Sequence, residues 1–122
     1  MDKTLSIIIP VFNEEATLEK IISRVIKAPV LDYKKEIIVI DDGSTDGTGD
    51  ILKHLEGKYN LRVLKHRQNL GKGRAIQSGL KVANGQAVII QDADLEYDPN
   101  DWIKLLKELR SGPPDLGAVY GS

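Results

Sequence analysis

The chain has 122 residues, of which 41% are hydrophobic, 17 are basic and 18 are acidic, giving a formal net charge of -1. This length fits one domain with its own core, over residues 1–122, and the balanced charge excludes the basic excess that general nucleic-acid binding requires. The sequence contains no cysteine, which excludes disulfides and thiolate metal sites, and no apolar stretch approaches the roughly 20 residues of a membrane span.

Short apolar runs rich in β-branched residues recur along the chain and alternate with helical patterns. They predict strands at residues 5–11, 36–41, 61–66 and 87–92, with 117–121 as a candidate fifth strand. Nearly continuous apolar strands separated by helices are typical of a parallel sheet that is covered on both faces. The predicted fold class is therefore α/β with a largely parallel sheet.

The segments between the strands predict helices. Asn13 is a favourable N-cap for the first helix, which would place Glu14 and Glu15 in its first turn and end before Pro29. A second helix is expected after "DGSTDGT", a third that ends in a left-handed cap at residues 84–85, and a fourth after "YDPN". The residues that the fourth helix is expected to bury are Trp102, Leu105, Leu106 and Leu109.

An acidic row follows the fourth predicted strand in "QDADLEYDP". Asp92, Asp94 and Glu96 occupy every second position, so an extended chain would turn them to the same side with about 6.5–7 Å between neighbours. A divalent cation would relieve their repulsion, and hard carboxylate oxygens suit Mg²⁺ or Mn²⁺. The alternative is a solvated loop in which these residues supply turns and a helix cap.

Polar segments follow each of the first four predicted strands, namely "PVFNEE", "DDGSTDGT", "HRQNLGKGRA" and "DADLEYD". Ligands of open parallel sheets bind outside the carboxyl ends of the strands, so these segments are expected to meet in one crevice. In the second segment Asp42 is predicted to accept hydrogen bonds from ring N–H groups of a bound base. The alternative is that both adjacent aspartates only make the turn and cap the next helix.

The glycine-rich segment "NLGKGRA" indicates a phosphate site at Gly71 and Lys72, where a helix begins. A flexible basic loop is the alternative, and the spacing of a P-loop is missing. His54 and His66 are isolated in the sequence and are interpreted as surface or strand-edge residues, with no zinc site.

Together these segments resemble the family-2 glycosyltransferases with the GT-A fold. The matching pieces are "SIIIPVFNEE", "EIIVIDDGSTDGT", "NLGKGRAIQSGLKVANG" and "QDADLEYDP", in the order and spacing of the family. The resemblance covers residues 5–122 and is greatest to the dolichol-phosphate mannosyltransferase-like branch, which moves a sugar from a nucleotide sugar to a polyprenyl phosphate. It implies a three-layer α/β/α sandwich that lacks the C-terminal acceptor-side part of the family.

The resemblance also implies roles for individual residues. Asp42 would hold the base, and Asp92 and Asp94 would form the Asp-x-Asp pair, with Asp94 acting catalytically through the metal. Glu96 is a third candidate ligand at a position where the branch commonly has Gln. The residues implied to line the nucleoside pocket are Pro10, Val11, Asn13 and Glu14.

The implied cofactor is Mg²⁺ or Mn²⁺, and the implied donor is a UDP- or GDP-sugar. A polyprenyl phosphate acceptor would place a cytoplasmic protein at a membrane surface. Exposed edges of an incomplete sheet would also allow pairing with a second copy as a homodimer.

Two other classes of protein remain as alternatives. A nucleotidyltransferase would carry a glycine- and basic-rich loop after the first strand, whereas "PVFNEE" is acidic. A non-catalytic regulator resembling a receiver domain would need a phospho-acceptor aspartate after the third strand, and "LKHRQN" contains none. Both are therefore less favoured than the glycosyltransferase.

Overall fold

The computed structural model describes residues 3–92, the positions 102, 103, 106 and 107, and the backbone of 118–121. The elements are β1 (Thr4–Val11), α1 (Leu18–Lys27), β2 (Lys34–Asp41), α2 (Thr48–Lys58), β3 (Leu61–Lys65), α3 (Lys72–Val82), β4 (Ala87–Gln91) and β5 (Ala118–Gly121). All five predicted strands are confirmed. The described positions of the predicted fourth helix are helical, while Leu105 and Leu109 lie outside the described residues.

The strands form one sheet in the order β3-β2-β1-β4-β5, and every neighbouring pair is parallel. The chain first builds outward from β1 to β2 and β3, and then returns to place β4 on the other side of β1. The point between β1 and β4 is therefore the topological switch point, where α/β sheets form their ligand crevice.

Two apolar clusters cover the two faces of the sheet. The first contains Ile7 and Ile9 of β1 with the buried sides of α1 and α2 and with Trp102 and Leu106. The second lies under α3 and contains Ile8 of β1 with residues of β2 and β4. The predicted three-layer α/β/α sandwich is confirmed, and its double cover explains why the strands read as continuous apolar runs.

Helix α3 packs directly against the sheet through Gly79. A Cβ atom at this position would lie 2.8 Å from Cγ2 of Ile8 and 2.9 Å from Cδ1 of Ile40. Only a residue without a side chain allows this approach, so the helix is fixed at a short distance from β1 and β2.

Two predicted helix ends are wrong. Helix α1 begins at Leu18 and not after Asn13, and its first-turn acid is Glu19. Helix α3 is followed by Ala83 in an extended conformation, and neither residue of 84–85 has a positive φ. Asn13 and the residues 84–85 make hydrogen bonds elsewhere in the fold, and these outweigh their capping preference.

At the amino ends of the strands, Glu36 of β2 joins β1 to the segment before β4. Its Oε1 accepts hydrogen bonds from Oγ of Ser6 at 2.6 Å and from N–H of Asn84 at 2.8 Å, and its Oε2 accepts from Nδ2 of Asn84 at 3.0 Å. Gly85 follows in close contact, since its added Cβ would lie 2.6 Å from Oγ of Ser6. The residues 84–85 therefore serve a close approach and not a left-handed cap.

The same hydrogen bonds set the ionisation of Glu36. Burial raises the pKa of its carboxyl group, but the hydrogen bonds from Asn84 and Ser6, with the charge of Arg62, outweigh burial and hold the pKa below its ordinary value. The ionised group therefore stabilises the fold above the unfolded pKa of about 4.3, and this contribution is lost as the pH falls through the folded pKa.

We expect Glu36→Gln to lower the free energy of unfolding at pH 7 by about 1 kcal/mol, because the amide accepts charge-assisted bonds less well. The difference from wild type should shrink as the pH falls below about 4 and through the lower folded pKa, because the wild-type carboxylate then loses its charge. Urea unfolding at several pH values measures this, with Glu56→Gln on the exposed side of α2 as control. A difference that stays constant from pH 7 to pH 3 would contradict the assignment.

Candidate functional site

A cavity of about 300 Å³ opens at the carboxyl ends of β1, β2 and β4, beside the amino end of α3. Its lining residues are Pro10, Val11, Phe12, Glu14, Asp42, Asn69, Gly71, Lys72, Ala75 and Asp92. Most of the candidate residues thus meet at one place. Asn13 is absent from the wall, while Asp94 and Glu96 lie outside the described residues.

Strand periodicity explains why the wall is built from these residues. Ile8 and Ile90 are paired in register and both face α3. Two positions later, Pro10 and Asp92 lie on the same side of the sheet, because strand side chains alternate with period two. Phe12, which the sequence analysis missed, follows the same alternation and could have been found from it.

Pro10 ends the hydrogen-bonded ladder between β1 and β4. The carbonyl of Thr4 accepts from N–H of Gln86, so even-numbered residues of β1 turn their backbone toward β4. Pro10 has no N–H to donate there, and the pairing stops at Ile8–Ile90, whereas the pairing with β2 continues to Val11–Asp41. The two strands therefore separate at the switch point, beside the cavity.

The carboxylate of Asp42 is buried in the cavity wall and is held by the loop between β3 and α3. Its Oδ1 accepts from Nδ1 of His66 at 2.8 Å and from N–H of Leu70 at 3.0 Å, and its Oδ2 accepts from N–H of Gly71 at 2.9 Å. Burial raises the pKa of Asp42, but the hydrogen bonds from Leu70, His66 and Gly71 outweigh it and leave the pKa below the ordinary value. The wall thus carries a fixed negative charge.

The adjacent aspartate has a separate task. Oδ1 of Asp41 accepts from N–H of Ser44 at 2.9 Å and so closes the turn after β2. Within this turn Gly43 has φ 77°, and a Cβ atom on Gly43 would lie 2.4 Å from the backbone carbonyl carbon of Gln68. The turn therefore needs glycine, and it brings the β3–α3 loop against Asp42.

His66, which was interpreted as a surface or strand-edge residue, directly follows the outer strand β3 but has hydrogen-bond partners on both ring nitrogens. Its side chain is 13% exposed, and its second ring nitrogen, Nε2, lies 2.8 Å from Oγ of Ser78 on α3. The parallel register pairs Asp41 with Lys65, so the next residue of each strand, Asp42 and His66, also lie side by side. A residue that is isolated in sequence can therefore be predicted as a neighbour once the register is known.

Asn13 joins the loop after β1 to the loop after β2. It adopts φ 52°, and its Oδ1 accepts from N–H of Thr45 at 2.8 Å and from N–H of Asp46 at 3.3 Å. The next residue continues this connection, since N–H of Glu14 donates to Oγ1 of Thr48 at 2.9 Å. Asn13, the predicted N-cap, therefore connects the two loops through its side chain and holds the loop that carries Glu14 at the cavity.

Asp92 is the described member of the acidic row. Its side chain is 21% exposed, and its Oδ2 is in contact with the ammonium group of Lys72, whose side chain is 55% exposed. The excess negative charge thus meets a cation at the cavity, and a carboxylate oxygen that a cation can reach is also a suitable ligand for a divalent ion. Within the described ranges, no three metal-binding side chains come together, so the roles of Asp94 and Glu96 stay predictions.

We expect Pro10→Ala to extend the β1–β4 ladder, because alanine restores a backbone N–H group on the side of β1 that faces β4. The amide at position 10 should be protected from hydrogen exchange, with the free energy of unfolding unchanged or raised by about 1 kcal/mol. Pro29→Ala, after α1 and outside the sheet, is the control. Exchange at position 10 as fast as in an exposed loop would refute this role.

For Asn13, glycine and alanine separate the backbone effect from the side-chain effect. Asn13→Gly keeps access to positive φ but removes the acceptor, and should cost about 1–2 kcal/mol of unfolding free energy. Asn13→Ala should be still less stable, because alanine also resists the left-handed region by about 1 kcal/mol.

The order of the two variants is the test of this conformation. At Asn60, which is exposed and has no positive φ, the alanine variant should instead be more stable than the glycine variant. Chemical unfolding of the four variants measures both orders. The same order at both positions would contradict the left-handed conformation of Asn13.

The chain is similar in sequence to known proteins. The family model for Glycosyl transferase family 2 matches residues 6–121. The dolichol-phosphate mannosyltransferase of Pyrococcus furiosus is 36% identical over 109 residues, which cover 88% of this chain and 30% of that protein.

Solved structures agree with the sequence comparison. S. aureus TarS 1-349 in complex with UDP-GlcNAc has a TM-score of 0.76 at 27% identity, over 88% of this chain and 31% of that one. Mannosyltransferase PcManGT from Pyrobaculum calidifontis, in complex with GDP-Man and Mn²⁺, has a TM-score of 0.75 at 26% identity, over 89% of this chain and 33% of that one.

The chain spans about a third of the length of the curated relatives it matches. Over that length it has the GT-A fold expected from its strand and loop pattern, and the family match favours neither a nucleotidyltransferase nor a receiver-like regulator. The chain belongs to glycosyl transferase family 2.

Proposed function

We propose that this chain is the donor-binding domain of a metal-dependent glycosyltransferase, which transfers the sugar of a UDP- or GDP-sugar. One observation carries the proposal: the cavity has a buried carboxylate, Asp42, on its wall and an acid–base pair, Asp92 and Lys72, on the same wall beside the amino end of α3. A nucleotide sugar needs both kinds of group, since its base offers N–H donors and its diphosphate carries negative charge.

The first part of the cavity would bind the nucleoside. Pro10 and Val11 provide apolar wall, Glu14 provides a carboxylate, and Asp42 provides an acceptor for the base. Asn13 would act from behind the wall, because its side chain holds the loop that carries Glu14. These roles are supported by the position of the cavity at the switch point of the sheet.

The second part would bind the diphosphate. Gly71 directly precedes α3, and the amino end of a helix favours anions. The ammonium group of Lys72 can leave Asp92 for a phosphate oxygen, because it sits on a long and half-exposed side chain.

Asp92, Asp94 and Glu96 would hold Mg²⁺ or Mn²⁺, and the solved neighbour that binds GDP-Man with Mn²⁺ supports a divalent ion. Such an ion would neutralise the charge that develops on the nucleotide diphosphate when the anomeric bond breaks. Asp94 is the acid proposed to contribute most to this effect. Lys72, released from Asp92, would then remain beside the diphosphate as a second positive charge.

The proposed acceptor is a polyprenyl phosphate, supported by the name of the Pyrococcus furiosus relative. Its proposed place is the cytoplasmic surface of a membrane. A phosphate acceptor is already anionic and needs no general base, whereas a hydroxyl acceptor would need a carboxylate. Within the described part of the chain, no helix combines the length and apolar character needed to cross a membrane. The outer strands β3 and β5 of the described sheet offer edges for the proposed pairing of two copies.

The metal requirement can be tested by calorimetric titration with UDP- and GDP-sugars in the presence of Mn²⁺ or of a chelator. We expect Mn²⁺ to tighten binding to the wild type by about tenfold or more, since it neutralises charge on both sides of the contact. Asp94→Ala and Asp92→Asn should lose most of this gain, whereas Asp50→Asn, on the exposed side of α2, should keep it. Equal binding with and without metal by all four proteins would remove the basis of the proposal.

A further inference from the structure

We infer that the cavity selects a base with a single ring N–H between two carbonyl groups, that is uracil, and that His66 sets this preference. The inference rests on the proposed function, because it takes the cavity to hold a nucleotide. It goes further by choosing between the two donor classes, UDP- and GDP-sugars, and by assigning a positioning residue.

The number of free acceptor positions on Asp42 carries the argument. A carboxylate has about four acceptor positions, two on each oxygen. The two on Oδ1 are filled by His66 and by N–H of Leu70, and one on Oδ2 is filled by N–H of Gly71. Counting the donors of the described residues, one position, on Oδ2, therefore remains for a ligand.

The bases differ in what they present to that position. Uracil offers one donor, N3–H, and so matches one acceptor. Guanine offers N1–H and its amino group side by side, which a carboxylate accepts best with both oxygens, and Oδ1 is already full. One guanine donor would then be buried without a partner, which is costly, and cytosine would turn a ring acceptor toward a negative charge.

Among the donors to Asp42 in the described part of the chain, His66 is the side chain, and the other two are backbone groups of the loop. Asp42 is an ionised acceptor, so Nδ1–H of His66 donates to it, and Nε2 lies 2.8 Å from the hydroxyl oxygen of Ser78, within hydrogen-bond distance. Ser78 precedes Gly79, whose contacts fix α3 on the sheet. The imidazole is thus anchored on a rigid helix and holds Oδ1 of Asp42 away from the ligand.

The test compares UDP, CDP and GDP by calorimetry at saturating Mn²⁺, so that the diphosphate and the metal are constant. Wild type should bind UDP about tenfold or more tightly than GDP and CDP. His66→Leu removes the donor and frees a position on Oδ1, so the preference for UDP over GDP should shrink severalfold. His66→Asn restores an N–H donor and should restore most of the preference, and Ser78→Ala should lie between wild type and His66→Leu.

A second measurement does not depend on any variant folding. In the ¹⁵N spectrum of the wild-type imidazole, Nδ1 of His66 should be protonated, and a bare Nδ1 would overturn the assignment of His66. GDP binding as tight as UDP binding would overturn the selection of uracil while leaving the metal-dependent nucleotide site intact. Absence of metal-dependent binding of all three nucleotides would overturn the proposed function together with this inference.

Discussion

Every inner strand of this sheet is covered on both faces, and this constraint decides where polar chemistry can lie. Ile7 and Ile9 face one helical layer and Ile8 faces the other, so β1 has no side on which a charged group could reach water. An unpaired charge in such a layer would cost several kcal/mol. Polar side chains are thus confined to the ends of the strands, and the parallel arrangement gathers the carboxyl ends at one edge.

Two carboxylates lie at opposite ends of β2, as this constraint requires. Glu36 at the amino end and Asp42 just past the carboxyl end are both ionised and both bound by donors from segments far away in the sequence. The hydrogen bonds to Glu36 connect β1 to the segment before β4, so the role of this carboxylate is structural. The backbone donors to Asp42 come from a loop that itself lines the cavity. The conformation of that loop and the orientation of the carboxylate therefore depend on each other.

Much of this could be predicted from the sequence, and the failures have a common cause. The period of the apolar residues is a local signal, and it gave the strands and the common edge where Asp42, Lys72 and Asp92 meet. The role of Asn13 was misjudged because capping preference is also local, whereas its real partners, Thr45 and Asp46, are about thirty residues away. Long-range hydrogen bonds depend on strand register, which composition does not show.

His66 shows how the same limit affected the site. Nothing near it in the sequence suggests a partner, yet the register of β2 and β3 places it beside Asp42. Asp92 was different, because its repulsion with neighbouring acids already required a cation, and the structure places Lys72 there. Charge excess can be read along the chain, whereas the identity of the group that balances it depends on the fold.

The negative charges of Asp42 and Asp92, in the two parts of the cavity, are compensated by different kinds of group, and the difference suits their proposed tasks. Around Asp42 the donors are backbone amides and a ring that contacts Ser78, and in the proposed role these fixed groups would discriminate between bases by leaving a mismatched group unpaired. Around Asp92 the balancing cation is the end of a flexible, half-exposed lysine, which can be exchanged for a metal ion at little cost. Pro10 separates β1 from β4 between these parts, so a ligand can reach both without breaking a ladder hydrogen bond. The fixed carboxylate of Asp42 would thus select the base of the nucleotide. The ammonium group of Lys72 would move from Asp92 to the diphosphate once the nucleotide is bound.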